Sequence, residues 1–294
     1  MPGRSDGIWS RRRSIMKESI VRKTSNYLWL ALLMVFTLLP FAWLIDTTLK
    51  PDSEMFSTVP TWIVSSLTWD NYRWALGDTG LQLPRLLLNS IAACGMTALV
   101  TGVIACISGY GLARYKVPGA GLVVVLIVLA QMIQGPLIMI PWYKMAAAFS
   151  LLNTKTILVM IYGTLTIPVG VWIMSGFFRT LPNELEEAAA IDGAGKWRTL
   201  LTVMIPLSLP GLVSISLYAF ILGWNDYQYS LILTSSISAK TVQVGIAELM
   251  ESMGSTNWGG LLASGVIVIL PIVVIFAFIQ KYLIEGMTAG GVKG

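Results

Sequence analysis

Residues 259–280 have the sequence GGLLASGVIVILPIVVIFAFIQ, and this stretch decides the fold class. It lies within a longer segment, between Glu251 and Lys281, that contains no Asp, Glu, Lys or Arg. A helix needs about 20 consecutive apolar residues to span the hydrocarbon core of a bilayer, so the stretch predicts a transmembrane helix. A barrel strand would be about 10 residues long with alternating polarity, whereas this run is continuously apolar.

Five further stretches of the chain have the same apolar character. They cover residues 27–48, 86–113, 120–142, 156–178 and 207–232. We expect the first of these to remain as a helix rather than be cleaved as a signal peptide, because no small-residue cleavage site follows it. The predicted fold class is therefore an all-α membrane protein with six transmembrane helices.

The composition points to the same class. Of the 294 residues, 55% are hydrophobic and 12% are charged, and the mean hydropathy is +0.72. A soluble domain has about 25% charged residues, so the composition excludes a soluble cytoplasmic enzyme, a disordered regulator and a nucleic-acid-binding protein. The chain has no histidine, which excludes an imidazole base and a His-ligated metal. Cys94 and Cys106 lie about 18 Å apart on one predicted helix, too far for a disulfide.

The lysine and arginine residues predict the orientation. With the N-terminus inside the cell, 14 of the 20 basic residues fall on the cytoplasmic side, as the positive-inside rule requires. Both termini are then cytoplasmic. The expected organisation is a basic N-terminal tail (residues 1–26), a six-helix transmembrane domain (27–281) and a cytoplasmic C-terminal tail (282–294).

The longest informative connection is the predicted inner loop, residues 179–206, with the sequence RTLPNELEEAAAIDGAGKWRTLLTVMIP. We expect Asn183 to cap a helix whose first turns carry glutamates, where the helix dipole favours negative charge. Gly193 and Gly195 predict a break before a second short helix. From composition alone, the loop is either a solvated amphipathic connection or a docking surface.

The spacing within this loop resembles the EAA signature of bacterial ABC importer permeases. That signature is Glu-Ala-Ala, three residues, Gly, nine residues, then Ile-x-Leu-Pro. The chain has Glu187-Ala188-Ala189 and Gly193 at this spacing, and it ends with Val203-Met204-Ile205-Pro206, which replaces two apolar residues with others. Other segments resemble the MalG-type carbohydrate permeases of the MetI-like family: Asn89-Ser90, Gly109-Tyr110 with Arg114, Ile140 to Tyr143, Trp224 to Tyr227, and the tail from Glu285 to Gly294.

The resemblance implies a type I ABC importer permease fold in the bacterial cytoplasmic (inner) membrane. It implies a second, MalF-like permease subunit, two copies of an ATPase subunit, an extracytoplasmic solute-binding protein and membrane lipids as partners, with no nucleic acid. The chain lacks a Gly-x-x-x-x-Gly-Lys-Ser/Thr phosphate loop. We therefore expect no enzyme activity, metal or cofactor in this chain, with ATP and Mg bound by the ATPase subunits.

The resemblance also implies two contact regions for the ATPase. The first is a coupling helix, with six candidate residues: Glu186, Glu187, Ala188, Ala189, Asp192 and Gly193. The second is the C-terminal tail, which would reach between the ATPase subunits through Thr288, Gly290, Gly291 and Lys293. A frayed chain end is the other interpretation of this tail.

Hydrogen-bonding and aromatic side chains in the spans are candidates for the sugar pathway. They are Tyr218, Asn225, Asp226, Tyr227 and Gln228 in span 207–232, and Gln131 and Gln134 in span 120–142. The alternatives are hydrogen bonding between helices and substrate contacts made mainly by the partner permease.

The expected function is import of a carbohydrate, a di- or oligosaccharide, coupled to ATP hydrolysis on separate subunits. Acidic oligosaccharides and glycerol phosphates stay open as substrates. A secondary transporter would need intramembrane acidic residues or inverted repeats, and the charge-free spans 120–142 and 259–280 argue against that class.

Overall fold

The computed structural model describes residues 6–59, 61–62, 64, 66–78, 80–116, 118–132, 135–251 and 257–291. Within these ranges side chains are described for residues 22–281, except 123, 124, 127, 128 and 130. Every regular element in the described ranges is helical, which confirms the all-α class. The chain divides into two compact units, residues 1–72 with 258–266, and residues 73–257 with 267–294.

Most successive helices are joined by short connections. In order they are α1 (Asp6–Thr48), α2 (Asp52–Met55), α3 (Asp70–Leu76), α4 (Leu83–Arg114), α5 (Ala120–Gln131), α6 (Gly135–Ala148), α7 (Lys155–Thr180), α8 (Glu184–Ile191), α9 (Lys196–Thr199), a π-helical turn (Leu200–Met204), α10 (Ile205–Leu207), α11 (Leu209–Trp224), α12 (Gln228–Leu233), α13 (Val242–Glu251) and α14 (Trp258–Gly291).

In the first unit, the end of α1 is held to the segment that follows it. The Nζ of Lys50 lies 2.6 Å from an Asp46 carboxylate oxygen and 4.7 Å from the Trp43 ring centroid. The Asn71 amide donates to the backbone oxygens of Thr48 and Lys50, at 2.9 and 3.1 Å. These bonds fix the chain direction directly after the first long apolar helix.

In the second unit, α4, α7 and α11 pack side by side and form the core. A Cβ added at Gly109 would lie 2.8 Å from the Met174 Cβ, so only glycine permits the close approach of α4 to α7. The hydroxyls of Thr101 and Thr166 meet at 2.7 Å across the same two helices. Small residues and interhelical hydrogen bonds of this kind hold helices together in a bilayer, where apolar burial contributes little.

Four helices in the described part of the chain are long and apolar enough to cross a membrane. They are Arg22–Thr48, Leu83–Arg114, Lys155–Thr180 and Trp258–Lys281. They coincide with the predicted spans 27–48, 86–113, 156–178 and 259–280. A fifth candidate is the pair Lys196–Leu207 and Leu209–Trp224, which is bent by 79°.

The third predicted span, 120–142, is not one continuous helix in the structure. It is divided into α5, which ends at Gln131, and α6, which begins at Gly135. Pro136 follows Gly135 and has no N–H for a helical hydrogen bond, and it restricts the backbone of the residue before it. A continuous helix is therefore disfavoured at this point although the composition stays apolar.

The fifth predicted span, 207–232, is not one continuous helix either. The helix α11 ends at Trp224, and a separate helix α12 begins at Gln228. At its other end the chain bends at Ser208, which lies between Pro206 and Pro210 and is fully buried. Neither proline can donate a backbone hydrogen bond, so the helical ladder is interrupted where the bend occurs.

Candidate functional site

The helix α8 is the centre of the predicted inner loop, and it ends in a well-defined cap. The N–H of Gly193 donates to the Ala190 oxygen at 3.0 Å, and the N–H of Ala194 donates to the Ala189 oxygen at 2.9 Å. This pair of bonds is the Schellman arrangement, which needs a left-handed residue after the helix. Gly193 supplies it with φ +77°. No atom lies within 4 Å of a Cβ built at Gly193, so backbone conformation alone requires glycine.

The start of α8 differs from the sequence expectation. Asn183 makes no side-chain capping bond, and its backbone is helical. Its Oδ1 instead accepts a hydrogen bond from Nη1 of Arg114, at 2.5 Å. The expected cap is therefore corrected: the asparagine side chain is used to join the loop to the end of α4.

Arg114 makes three contacts with the loop and thereby holds it. Besides Asn183, its Nη2 donates to the Leu181 oxygen at 2.8 Å, and its Nε lies 2.8 Å from an oxygen of Glu186. The Arg114 side chain is 8% exposed. A nearly buried guanidinium is costly unless it is paired and hydrogen-bonded. Arg114 has two hydrogen bonds, through Nη1 and Nη2, and an ion pair at Nε that lacks hydrogen-bond geometry, and these contacts anchor α8 to α4.

The predicted coupling residues are divided between two faces of α8 and its cap. Glu186 pairs with Arg114 and Ala189 is buried, so both face the body of the second unit. The exposed members of the predicted set are Glu187, Ala188, Asp192 and Gly193. These four are open to another subunit, while Glu186 is half-buried.

A large apolar residue, Ile191, is part of the exposed face, and sequence reasoning missed it. Its exposed fraction is 87%. It lies four residues after Glu187, so the two side chains share a helix face. The signal was available in the sequence as an isoleucine one helical turn after Glu187, the first residue of the Glu-Ala-Ala triplet.

The candidate pathway residues cluster at the break between α11 and α12. Asp226 caps α12: its carboxylate accepts from the backbone N–H of Tyr229 at 3.3 Å and of Ser230 at 3.0 Å. The Tyr162 hydroxyl of α7 donates to the same carboxylate at 2.8 Å. The Asp226 carboxylate therefore bonds to groups of the protein itself. It lies at the N-terminal end of a helix, where negative charge is stabilised.

The other pathway candidates lie around this break or apart from it. Asn225 and Gln228 are exposed, Tyr227 is half-buried, and Tyr218 is exposed on α11. Gln131 lies at the end of α5 and donates to the Leu165 oxygen of α7 at 3.2 Å. Gln134 is outside the described residues. The structure brings together residues 225–228 and links Gln131 to α7 instead.

The side chains of the predicted tail contacts lie outside the described set. Thr288, Gly290 and Gly291 belong to the last turns of α14, whose side chains there are outside the described set. Lys293 lies outside the described residues altogether.

The Asn89-Ser90 pair, assigned above only by resemblance, has a structural role. The Asn89 amide donates to the backbone oxygens of Ile237 and Lys240, at 2.8 and 3.0 Å. The Ser90 hydroxyl accepts from the N–H of Val242 at 2.9 Å. These bonds fix the segment that leads into α13.

Comparison with known proteins places this architecture in a family. The family model described as binding-protein-dependent transport system inner membrane component matches residues 98–289. The trehalose/maltose transport system permease protein MalG of Thermococcus litoralis is 32% identical over 284 residues, which is 95% of this chain and 100% of that protein. The trehalose transport system permease protein SugB of Mycobacterium tuberculosis is 33% identical over 264 residues, covering 90% of this chain and 95% of that protein.

A solved structure has the same fold. A chain of a bacterial ABC transporter involved in the import of the acidic polysaccharide alginate superposes with a TM-score of 0.75 at 18% identity, covering 96% of this chain and 99% of that chain. At this identity the likeness concerns the fold, and the family rests on the sequence matches. The chain belongs to the binding-protein-dependent transport system inner membrane components and is a MalG-like carbohydrate permease of an ABC transporter.

Proposed function

We propose that this chain is one of two permease subunits of an importer that moves a di- or oligosaccharide across the bacterial cytoplasmic membrane, with ATP hydrolysed on separate subunits. An extracytoplasmic binding protein would deliver the sugar. The sugars named for the relatives, trehalose and maltose among them, support the substrate class.

The observation that carries this proposal is the divided α8. One face is anchored to α4 through Arg114 and Glu186, while the opposite face presents Glu187, Ala188 and Ile191 to solvent. A docking helix needs both properties. An exposed apolar and acidic face can seat in a cleft of the ATPase, and a firm attachment transmits its displacement to the membrane helices.

The six-span topology with both termini inside is part of the proposal. The helices α5 and α6 would cross the membrane together, and the bent pair that includes α11 would form another crossing. Cysteines introduced at Ser57 and Ser238 should react with a membrane-impermeant thiol reagent added outside, and a cysteine at Ser14 should not. Both native cysteines are buried, so their background reaction is small. Labelling of the Ser14 position from outside would contradict the topology.

The C-terminal tail is proposed to contact the ATPase subunits through residues 288–294. Its small residues suit a narrow interface between two subunits. Deletion of residues 288–294 should leave membrane insertion intact and reduce ATPase attachment or activity. Normal sugar uptake after this deletion would reduce the tail to a frayed end.

The central experiment reverses or disrupts the exposed face of α8. Glu187→Lys and Ile191→Asp should each leave the chain inserted in the membrane, and each should release the ATPase or leave it bound without sugar uptake. The measurements are co-purification of the ATPase and uptake into vesicles. Glu251→Lys is the matched charge reversal, because Glu251 is also exposed but ends α13, on the predicted outer side.

A solvated loop without a partner gives a different result. In that case Glu187→Lys changes stability by no more than about 0.5 kcal/mol, and uptake equals that of the Glu251→Lys control. That outcome would overturn the coupling assignment.

A further inference from the structure

A groove at the inner end of α4 is separate from the exposed face of α8. It has a volume of about 340 Å³ and lies between the last turns of α4 and the start of α9. Its lining includes Ile107, Tyr110, Tyr115, Lys196, Trp197 and Leu200. We call it the inner groove.

The wall of the inner groove is apolar and partly open towards the bilayer. Leu200 and Tyr110 are buried, while Ile107, on the transmembrane helix α4, is 44% exposed. The Tyr110 and Tyr115 rings meet edge to face with centroids 5.8 Å apart. An acyl chain fits such a surface, because it covers exposed apolar area without needing hydrogen bonds.

The mouth of the groove is aromatic and cationic. The Nζ of Lys196 lies 4.6 Å from the Tyr115 ring centroid, and Trp197 is 65% exposed. Trp and Tyr are enriched where a protein surface passes from the hydrocarbon to the headgroup layer. Tyr115 and Trp197 therefore indicate that this end of the groove lies at a membrane–water interface.

Three exposed basic side chains give the mouth of the groove its positive charge. Lys116 follows Tyr115 in the chain, Arg198 follows Trp197, and both are exposed, as is Lys196. Within the part of the chain that the structure describes, none of the three basic side chains forms an ion pair. Basic side chains next to a membrane surface attract anionic headgroups.

We propose that the inner groove binds an anionic phospholipid, with an acyl chain along Ile107 and Leu200 and the phosphate at Lys196. Charge complementarity selects this occupant over a neutral lipid. The groove also differs in chemistry from the α8 face, which presents a carboxylate. The site requires only that the chain is inserted in a membrane; its assignment to the inner leaflet additionally rests on the orientation given under Proposed function.

The test measures lipid contact at Trp197. The full-length chain, with the subunits that co-purify with it, is reconstituted into phosphatidylcholine vesicles containing a minor fraction of phosphatidylglycerol. Bromine atoms are placed on the acyl chains of one lipid or the other. The contribution of Trp197 is the quenching of tryptophan fluorescence that is lost in Trp197→Phe. When the brominated lipid makes up the same fraction of the bilayer in both samples, we expect Trp197 quenching by brominated phosphatidylglycerol to be about fivefold that by brominated phosphatidylcholine. This factor corresponds to the attraction of one lysine to an anionic surface.

Variants of Lys196 show whether the charge is responsible. Lys196→Gln should make the two brominated lipids equivalent, while Lys196→Arg should keep the preference. Lys144→Gln, an exposed lysine on the predicted outer side, should also keep it. Lys196 is exposed, so these variants are expected to fold, and their elution as the same complex verifies this.

Three outcomes would overturn the proposal. Equal quenching of the wild-type Trp197 by both lipids means that the groove has no preference for an anionic headgroup. Loss of the preference in excess inorganic phosphate means that the site binds free phosphate. Absence of Trp197 quenching by either lipid means that a protein subunit covers the groove. None of these outcomes bears on the docking of α8, which the Glu187 experiment tests separately.

Discussion

The inner loop around α8 and the break between α11 and α12 share an arrangement of polar side chains but differ in the contacts that hold it. Each contains two adjacent polar residues, Glu186-Glu187 and Asn225-Asp226, of which one turns inward and the other is exposed. In the loop, the inward residue pairs with a single side chain, Arg114. In the break, Asp226 joins two backbone N–H groups and the Tyr162 hydroxyl.

This difference indicates which region can be detached. The hydrogen bonds and the ion pair described above between residues 181–186 and α4 all involve the Arg114 side chain, so one substitution should release the start of α8 while the core stays packed. The bonds of Asp226 begin a helix and reach α7, so its loss should weaken the fold locally. The comparison predicts a functional effect in the first region and a stability effect in the second.

Arg114→Ala is expected to have the largest effect. It leaves Glu186 partly buried without its partner and removes two hydrogen bonds, which together should cost about 3 kcal/mol of loop attachment. The loop should become sensitive to limited proteolysis after Arg179 or Lys196, and sugar uptake should be lost. Arg198→Ala removes an exposed arginine and serves as the control. Unchanged protease resistance in Arg114→Ala would contradict the anchoring role.

Asp226→Ala should have the next largest effect, on stability. It removes the cap of α12 and the bond from Tyr162, and we expect a loss of about 2 kcal/mol in the free energy of unfolding. The measurement is thermal unfolding of the purified protein in detergent. Tyr162→Phe removes only one of the bonds and should account for less than half of the loss. An unfolding temperature equal to wild type would show that the carboxylate contributes nothing to the fold.

Gly193→Ala should have a smaller effect of about 1 kcal/mol, because alanine is strained in the left-handed conformation. Gly195 provides a matched control. A Cβ at either glycine meets no atom within 4 Å, but Gly195 has φ −71° and Gly193 has φ +77°. Gly195→Ala should therefore leave stability and ATPase co-purification unchanged. Equal behaviour of the two variants would mean that the cap of α8 has no energetic role.

Asn225→Ala should have the smallest effect on stability, within about 0.5 kcal/mol. Its exposed amide donates to the Ile221 oxygen in the preceding turn, at 3.0 Å. If the break lines the sugar pathway, uptake should fall while the unfolding temperature stays the same. Normal uptake would place the pathway contacts on the partner permease. The loss of stability expected for Asp226→Ala does not depend on that outcome.

The sequence predicted the long apolar helices because their existence depends on local composition. Residues 86–113 and 156–178 are apolar over more than a membrane thickness, and the structure has α4 and α7 there. Hydropathy did not predict the helix breaks within 120–142 and 207–232. In these stretches the hydropathy stays high, but prolines remove backbone N–H donors and Asp226 accepts hydrogen bonds from the start of a new helix; hydropathy measures neither effect.

The role of each carboxylate required the tertiary structure. The spacing Glu187-Ala188-Ala189 to Gly193 identified α8 and its glycine cap, since both follow from local backbone geometry. The inward direction of Glu186 depends on Arg114, and the use of Asp226 as a cap and acceptor depends partly on Tyr162, 64 residues away in the chain. Local sequence determines which segments are helical and where glycine is needed. Which of two adjacent charges is buried is decided by the partner that packing places beside it, because a charge leaves water only where another group replaces its hydration.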